Sequence, residues 1–227
     1  IRGLLDAAGV GSACLFAPVE DVYDRYDPRF EDDETWMECR RRANDYLLDL
    51  QTEDSSINAY YFVWNDFRAE ELSRGFRGVK WHRHSTEPVY NYHDPRCEGF
   101  LQEVYRLRLP IVLEETFENT RAFLERVAGR TPVIIPHMGG LNGGFERLLA
   151  AGVWDAESVY ADTALGSSRE MRRFLDRYGA ERLLFGSDFP FGSPASELQT
   201  VLALGLPASQ LDLVLGENVR RLVGREG

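Results

Sequence analysis

Short apolar runs of strand length alternate with helical patterns along nearly the whole chain of 227 residues. About seven of these runs predict β-strands, at residues 12–18, 59–64, 79–84, 110–115, 132–137, 158–164 and 182–188. Helical patterns follow most of them, and two further helical stretches, at 196–203 and 208–223, close the chain. Alternation at this spacing predicts parallel β-α-β units. The chain is therefore expected to form an α/β barrel or an open, doubly wound sheet.

The number of strands and the turns between them favour the barrel. A closed barrel has eight strands, and because the chain opens on a helical pattern, the eighth would precede Ile1. An open sheet usually carries a glycine-rich phosphate turn after its first strand, and the sequence has none. No linker or shift in composition divides the chain. We predict one domain over residues 1–227, a TIM (β/α)8 barrel whose first strand is absent from this sequence.

Charge and cysteine usage narrow the class of protein. Lys and Arg number 26 against 37 Asp and Glu, a net charge of -11, which disfavours binding to nucleic acid or anionic membranes. The three cysteines are widely spaced and form no Cys-x-x-Cys pair, so neither a disulfide framework nor a zinc knuckle is expected. No apolar run reaches the roughly 20 residues of a membrane span. These features predict a cytoplasmic protein.

Unusual polar residues stand at the ends of four predicted strands, where ligands bind in parallel α/β folds. In the run 79–84, alternation places Lys80, His82 and His84 on one face and Arg83 on the other. If that face is interior, Lys80 needs a carboxylate partner. Two histidines spaced by one residue can also hold a metal. The alternative is an edge strand with a solvated basic face.

The other three strand ends each carry an acid or a histidine. The run 110–115 ends in Glu114 and Glu115, of which only one can face the interior; alternatively, both lie in a loop and cap the next helix. His137 ends its run and opens a glycine-rich loop, although a lone histidine is often structural. Asp188 ends the last run on the same face as Leu184; alternatively, it caps its own turn.

Histidines, carboxylates and one lysine that converge on one mouth form a nitrogen and oxygen ligand set without thiolate. Such a set suits Zn²⁺ or Mn²⁺. A metal held there would lower the pKa of its water and polarise a carbonyl group, with Asp188 placed to take the proton. The constellation predicts metal-assisted hydrolysis, and it could also serve a decarboxylation.

Several motifs resemble the amidohydrolase superfamily, and more narrowly its amidohydrolase-2 branch, which includes aminocarboxymuconate-semialdehyde decarboxylase-like enzymes. The most specific is Arg182-Leu-Leu-Phe-Gly-Ser-Asp-Phe-Pro, which is similar to the last barrel strand of that branch. Weaker matches are Leu5-Asp-Ala-Ala-Gly-Val, Gly75-Phe-Arg-Gly-Val-Lys-Trp-His, Ile135-Pro-His-Met-Gly and Glu217-Asn-Val-Arg-Arg-Leu. The resemblance covers nearly the whole chain.

The resemblance implies a (β/α)8 barrel with one divalent metal, usually zinc. It implies that Asp188 binds the metal and acts as base, that His137 lies near the metal and the scissile group, and that His82 touches substrate. Two departures stand out. The family has a His-x-His pair of metal ligands on its first strand, and no such strand is present here. The family's fifth strand commonly ends in a metal-binding histidine, where this chain has Glu114.

We therefore predict a metal-dependent hydrolase of a small amide or lactone, with zinc as the expected ion and manganese as the alternative. The predicted ligands are Asp188, Glu114 and His137, with Asp188 and His137 catalytic. The predicted substrate contacts are Lys80, His82, Arg83 and His84. The alternatives are a decarboxylase of the same family, or an inactive or metal-free barrel that binds a metabolite or a partner. A homodimer is also expected, with loop aromatics such as Tyr23, Tyr26 and Tyr90 at its interface or in a lid.

Overall fold

A single parallel sheet runs through the computed structural model, which describes residues 2–224. Its strands are β1 (Ala13–Leu15), β2 (Ile57–Phe62), β3 (Gly78–His82), β4 (Ile111–Glu114), β5 (Val133–Ile135), β6 (Val159–Asp162) and β7 (Leu183–Leu184). Their spatial order is the order of the chain, and every neighbouring pair is parallel. A helix or a 3₁₀ turn lies in each connection between successive strands, as crossovers between parallel strands require.

The α-helices are numbered in chain order, and the first precedes β1. They are α1 (Arg2–Ala7), α2 (Glu34–Glu53), α3 (Pro95–Leu107), α4 (Phe117–Val127), α5 (Phe145–Ala150), α6 (Ser168–Tyr178), α7 (Pro194–Leu202), α8 (Ala208–Asp212) and α9 (Asn218–Leu222), with a π-helical turn at Leu213–Glu217 between the last two. Short 3₁₀ turns lie at Val19–Asp21, Ala69–Arg74, His137–Asn142 and Val153–Asp155. In residues 2–224, none of the helices has the length and apolar character needed to span a bilayer.

The sheet curls so that side chains from distant strands meet inside it. Tyr60, Val112, Ile134 and Leu184, from β2, β4, β5 and β7, form one buried cluster with Val223. Within the described residues, β1 and β7 are not paired, so the sheet does not close. The predicted barrel is thus confirmed as an α/β fold with seven parallel strands, curled like a barrel that lacks one strand, and its closure is not observed.

The strands are shorter than predicted or shifted by a few residues, and two of these differences move site residues into loops. β7 has two residues, because the next N–H that faces β6, that of Gly186, donates to the side-chain hydroxyl of Thr163 at 3.2 Å and not to a backbone carbonyl. Asp188 therefore lies in the loop beyond β7, with a left-handed φ of 49°, and not at the end of a strand. β3 ends at His82, so His84 also lies in a loop. Helix α6 begins with a capping box between Ser167 and Glu170.

The segment between β1 and α2 folds back over the carboxyl ends of the strands. The buried guanidinium of Arg40 on α2 fixes it by donating to the Val22 carbonyl and to the carboxylates of Asp32 and Asp66. Of the aromatics expected at an interface or lid, Tyr23 and Tyr90 are buried, whereas Tyr26 is 82% exposed. Burial removes Tyr23 and Tyr90 from any surface role.

Candidate active site

The carboxylate of Glu114, at the end of β4, is the centre of a polar cluster at the carboxyl ends of the strands. Its Oε1 atom lies 3.0 Å from Nε2 of His82 and 2.8 Å from Nε2 of His84. Its Oε2 atom lies 3.0 Å from Nζ of Lys80 and 3.5 Å from Nε2 of His137. One oxygen therefore faces the histidine pair, and the other faces a lysine and the third histidine.

The alternation predicted for β3 explains why these groups meet. Val79 and Trp81 point outward into the apolar layer beneath the helices, where both are fully buried. Lys80 and His82 point to the inner face, and the parallel register sets His82 opposite Glu114. His84 lies beyond the strand end and still reaches the same carboxylate, with its side chain 34% exposed.

His82, His84 and Glu114 have the composition of a metal site. One ligand atom from each lies within 4.8 Å of the others. Tetrahedral zinc, with bonds of about 2.0–2.1 Å to nitrogen and oxygen, places its ligand atoms about 3.3 Å apart. The observed separations between Glu114 Oε1 and the two imidazoles are close to this value. Two imidazoles and one carboxylate also suit zinc or manganese chemically, so these residues fit a divalent ion.

His137 and Asp188 lie on the other side of Glu114. His137 Nε2 is 4.0 Å from Oδ2 of Asp188, while its Nδ1 is 3.2 Å from the Ala164 carbonyl oxygen. Because a carbonyl only accepts, Nδ1 carries a hydrogen and Nε2 is directed to the two carboxylates. Both residues have left-handed backbones, with φ values of 57° and 49°. Such conformations are uncommon for non-glycine residues and concentrate at functional sites.

The charges of the cluster shift its pKa values in opposite directions. Burial acts to raise the pKa of the Glu114 carboxyl, but Lys80, His82 and His137 outweigh it and hold this pKa well below its usual range. Burial acts to lower the pKa of His137, but Glu114 and the neighbouring Asp162 and Asp188 raise it to about 9. Divergent pKa values of this kind are typical of catalytic sites.

Two further shifts have burial as their main cause. Burial lowers the pKa of His82, even though the charge of Glu114 opposes it. Burial raises the pKa of the Asp188 carboxyl, against the opposing charges of His137 and Lys80. His82 is therefore held as a neutral imidazole, and Asp188 retains a proton at higher pH than an exposed aspartate does.

Arg83 is not part of this cluster. It lies on the opposite face from His82 and His84, as the alternation requires, and its guanidinium pairs with the fully buried Glu115 at 3.1 Å. It also donates to the carbonyls of Pro88 and Glu87. The structure therefore places Arg83 in a buried pair that holds the loop after β3, away from the side on which Glu114 lies.

Four residues that contact the cluster were not predicted from the sequence. Asp162, at the end of β6, accepts from the backbone N–H groups of His137 and Ala164, at 2.8 and 3.1 Å. It could have been predicted, because it is a polar residue at the end of a strand, as some of the predicted site residues are. The remaining three are Tyr23, Arg25 and Glu87, which meet behind the two histidines of β3 and its loop. No strand pattern marks them, because all three lie in loops.

The sequence matches the model of one protein family, described as Amidohydrolase, over residues 19–225. No curated protein matches the chain. Among solved structures, 2,6-dihydroxybenzoate decarboxylase in complex with 2,6-dihydroxybenzoate has a TM-score of 0.78 and 21% identity, covering 100% of this chain and 87% of that one. The same decarboxylase from Rhizobium is equally similar, with a TM-score of 0.78, 21% identity and coverage of 100% and 88%.

Two other structures extend the comparison. A protein assigned as a 2-pyrone-4,6-dicarboxylic acid hydrolase, from Pseudomonas putida, has a TM-score of 0.73 and 21% identity, with coverage of 99% and 86%. A dihydroxybenzoic acid decarboxylase from Polaromonas sp. JS666, with bound manganese and the inhibitor 2-nitroresorcinol, has a TM-score of 0.73 and 17% identity, with coverage of 98% and 84%. At these identities the likeness shows a shared fold.

Proposed function

The chain belongs to the amidohydrolase family, whose model matches residues 19–225, and on that premise we propose that it is a metal-dependent decarboxylase of a small, planar carboxylic acid. The family and the structural neighbours are hydrolases or decarboxylases. The sequence motifs favoured hydrolysis, with decarboxylation as the alternative. We place decarboxylation first, because several neighbours are decarboxylases, of 2,6-dihydroxybenzoate and of 5-carboxyvanillate.

We assign the divalent ion to His82, His84 and Glu114. This set shares Glu114 with the ligands predicted from the sequence and replaces Asp188 and His137 by the two histidines nearest to Oε1. When bound, a divalent ion supplies Lewis acidity that stabilises negative charge on a substrate oxygen. Manganese or zinc suits these ligands, and manganese occurs in a neighbouring decarboxylase.

The buried ammonium of Lys80 is the main observation in favour of a carboxylate substrate. Lys80 is 3% exposed, and within residues 2–224 its one hydrogen-bond acceptor is Glu114. An ammonium has three donors, so two remain for a ligand. Its Nζ also lies 4.6 Å from the ring centroid of Phe16, which is 37% exposed. A planar carboxylate can lie against such a ring and accept from Lys80.

Decarboxylation exchanges a carbon–carboxylate bond for a carbon–hydrogen bond and releases carbon dioxide. The site must therefore deliver one proton to the carbon that loses the carboxylate. We assign this donor role to Asp188, whose side chain is 23% exposed at the mouth of the site. His137, 4.0 Å from Asp188, is placed to return a proton to it.

Hydrolysis of a lactone is the second candidate, because one neighbour is assigned as a hydrolase of a pyrone dicarboxylate. In that reaction Asp188 would accept a proton from the attacking water instead of donating one, and Lys80 would hold the second carboxylate of the substrate. Both reactions use the same residues, so the product distinguishes them.

The test is a product assay with purified protein loaded with Mn²⁺ or Zn²⁺. Incubation with 2,6-dihydroxybenzoate and 5-carboxyvanillate is expected to release carbon dioxide, in an Asp188-dependent manner. Ring opening of 2-pyrone-4,6-dicarboxylate without carbon dioxide release would favour the second candidate. Folded, metal-loaded protein that converts no aromatic or pyrone carboxylate in such a panel would contradict both.

A further inference from the structure

Behind His82 and His84 lies a buried group of loop residues, Tyr23, Arg25 and Glu87. Tyr23 is fully buried and Glu87 is 5% exposed. Glu87 accepts from the Tyr23 hydroxyl at 2.8 Å, from Nε of Arg25 at 2.8 Å and from the backbone N–H of His84 at 2.8 Å. These four groups join the segment after β1 to the loop after β3.

The hydrogen bonds of Tyr23 determine which nitrogen of His82 carries a hydrogen. Tyr23 Oη lies 2.8 Å from Glu87 Oε2, 3.0 Å from the His82 carbonyl oxygen and 3.3 Å from His82 Nδ1. The hydroxyl has one hydrogen, and a bond to an ionised acceptor is the stronger choice. The hydrogen therefore goes to Glu87, and the hydroxyl oxygen is left to accept from Nδ1–H of His82.

The position of this hydrogen determines what the opposite nitrogen, Nε2 of His82, can bind. With the hydrogen on Nδ1, Nε2 of His82 presents a lone pair, and it faces Glu114 Oε1 at 3.0 Å. Two lone pairs at this distance repel, so this tautomer favours a cation between them. The opposite tautomer would fill the same gap with an Nε2–H bond to Glu114 and block ligation through Nε2.

Glu87 also faces the second imidazole. Its Oε1 atom lies 3.5 Å from Nδ1 of His84, and Arg25 lies 3.3 Å from the same nitrogen. Arg25 can only donate, whereas Glu87 can only accept. The two favour opposite tautomers of His84, and Arg25 is the nearer and forms the hydrogen bond. Glu87 therefore does not fix the hydrogen of this ring, and its influence falls on His82.

We propose that Glu87 is a positioning residue which, through Tyr23, holds the hydrogen of His82 on Nδ1 and so presents its Nε2 atom as a ligand. The inference rests on the proposed metal role of this histidine. Histidine ligands commonly donate their second N–H to a carboxylate, and loss of that partner typically lowers metal affinity about 10–100-fold.

The experiment compares Glu87→Gln with Glu115→Gln. Glu115 is a matched control, because it is also a buried carboxylate that accepts from one arginine and one tyrosine, Arg83 and Tyr92. It faces away from the histidines. Titration with Co²⁺ is expected to give about 10–100-fold weaker binding for Glu87→Gln, and binding close to wild type for Glu115→Gln.

A second readout needs no metal. ¹⁵N NMR of metal-free protein distinguishes the two tautomers of each histidine, with the exposed His93 as internal reference. In Glu87→Gln, the side-chain amide can donate to Tyr23 Oη. The hydroxyl hydrogen of Tyr23 can then point toward Nδ1 of His82. We therefore expect the His82 hydrogen to move from Nδ1 to Nε2, and we expect the same for the Tyr23→Phe variant, which removes the relay.

The outcomes separate this proposal from the proposed function. If wild type binds Co²⁺ and Glu87→Gln binds it equally well, the positioning role is wrong and the metal site stands. If wild type binds no Co²⁺, the metal role fails, and the NMR comparison decides the tautomer claim. A wild-type His82 already wholly in the Nε2–H form, or a spectrum unchanged by Glu87→Gln, overturns the positioning role.

Discussion

The Lys80 ammonium lies 3.0 Å from Oε2 of Glu114, and each of these side chains is only 4% exposed. Glu114 has a histidine pair at its other oxygen, so Lys80 and His137 supply the positive charge at Oε2. Removing one partner of a buried ion pair leaves an unpaired charge in a poorly solvated place. Removal of one partner is therefore expected to lower stability, and this loss can be measured separately from activity.

Lys80→Met is expected to lower the free energy of unfolding by at most about 3–5 kcal/mol, because Glu114 loses its nearest cation and keeps His137 at 3.5 Å from the same oxygen. Urea denaturation measures the change. The double variant Lys80→Met with Glu114→Gln is expected to recover part of the loss, since no unpaired charge remains. Arg106→Ala, which breaks the exposed pair with Glu103, is the control and is expected to change stability little. A loss no larger than that control would contradict a buried, interacting pair.

Asp188→Asn is expected to reduce kcat about 10²–10⁴-fold while leaving the fold intact, because an amide cannot transfer the proton that either proposed reaction requires. Steady-state kinetics on whichever carboxylate is converted, with circular dichroism for the fold, measures the change. Asp176→Asn, an exposed position on α6, is the matched control. Unchanged turnover in Asp188→Asn would remove this residue from the chemistry.

Local pattern was enough to predict the parts of the site that belong to strands. Alternation along β3 placed Lys80 and His82 on one face, and the strand-end position of Glu114 placed it beside them. The predicted strand at 182–188 was too long, because after Leu184 the Gly186 N–H bonds to the side chain of Thr163 and the backbone ladder with β6 ends. Asp188 is consequently held by a left-handed loop, which alternation cannot describe.

The loop residues around the histidines could not be predicted in the same way. Tyr23 and Glu87 are 64 positions apart in sequence, and their contact depends on how the segment after β1 folds over the strand ends. That path is set by Arg40, whose partners Asp32 and Asp66 lie in separate loops. Neither periodicity nor spacing encodes such contacts, because they exist only once the sheet has curled.

Cysteine reactivity offers a test of the packing behind the site. Cys97 on α3 is fully buried, whereas Cys39 on α2 is partly exposed. Burial raises the pKa of the Cys97 thiol to about 11, so at pH 8 only about one molecule in a thousand carries the thiolate there. We expect iodoacetamide to modify Cys39 before Cys97 in native protein, as measured by peptide mass spectrometry. Both should react once urea unfolds the chain, and rapid native labelling of Cys97 would contradict this packing.

If His82, His84 and Glu114 bind the metal, substitutions of His84 and His137 should affect metal content and turnover differently. His84→Gln removes an Nε2 atom that lies 2.8 Å from Glu114 Oε1, so metal content after dialysis is expected to fall strongly. His137→Gln should retain the metal and lose turnover, because its Nε2 faces Glu114 Oε2 and Asp188 instead. His93→Gln, at an exposed position outside the cluster, is the control for histidine loss. Elemental analysis of the three variants gives the answer. Loss of metal in His137→Gln with retention in His84→Gln would instead support Asp188, Glu114 and His137 as the ligands, the set predicted from the sequence.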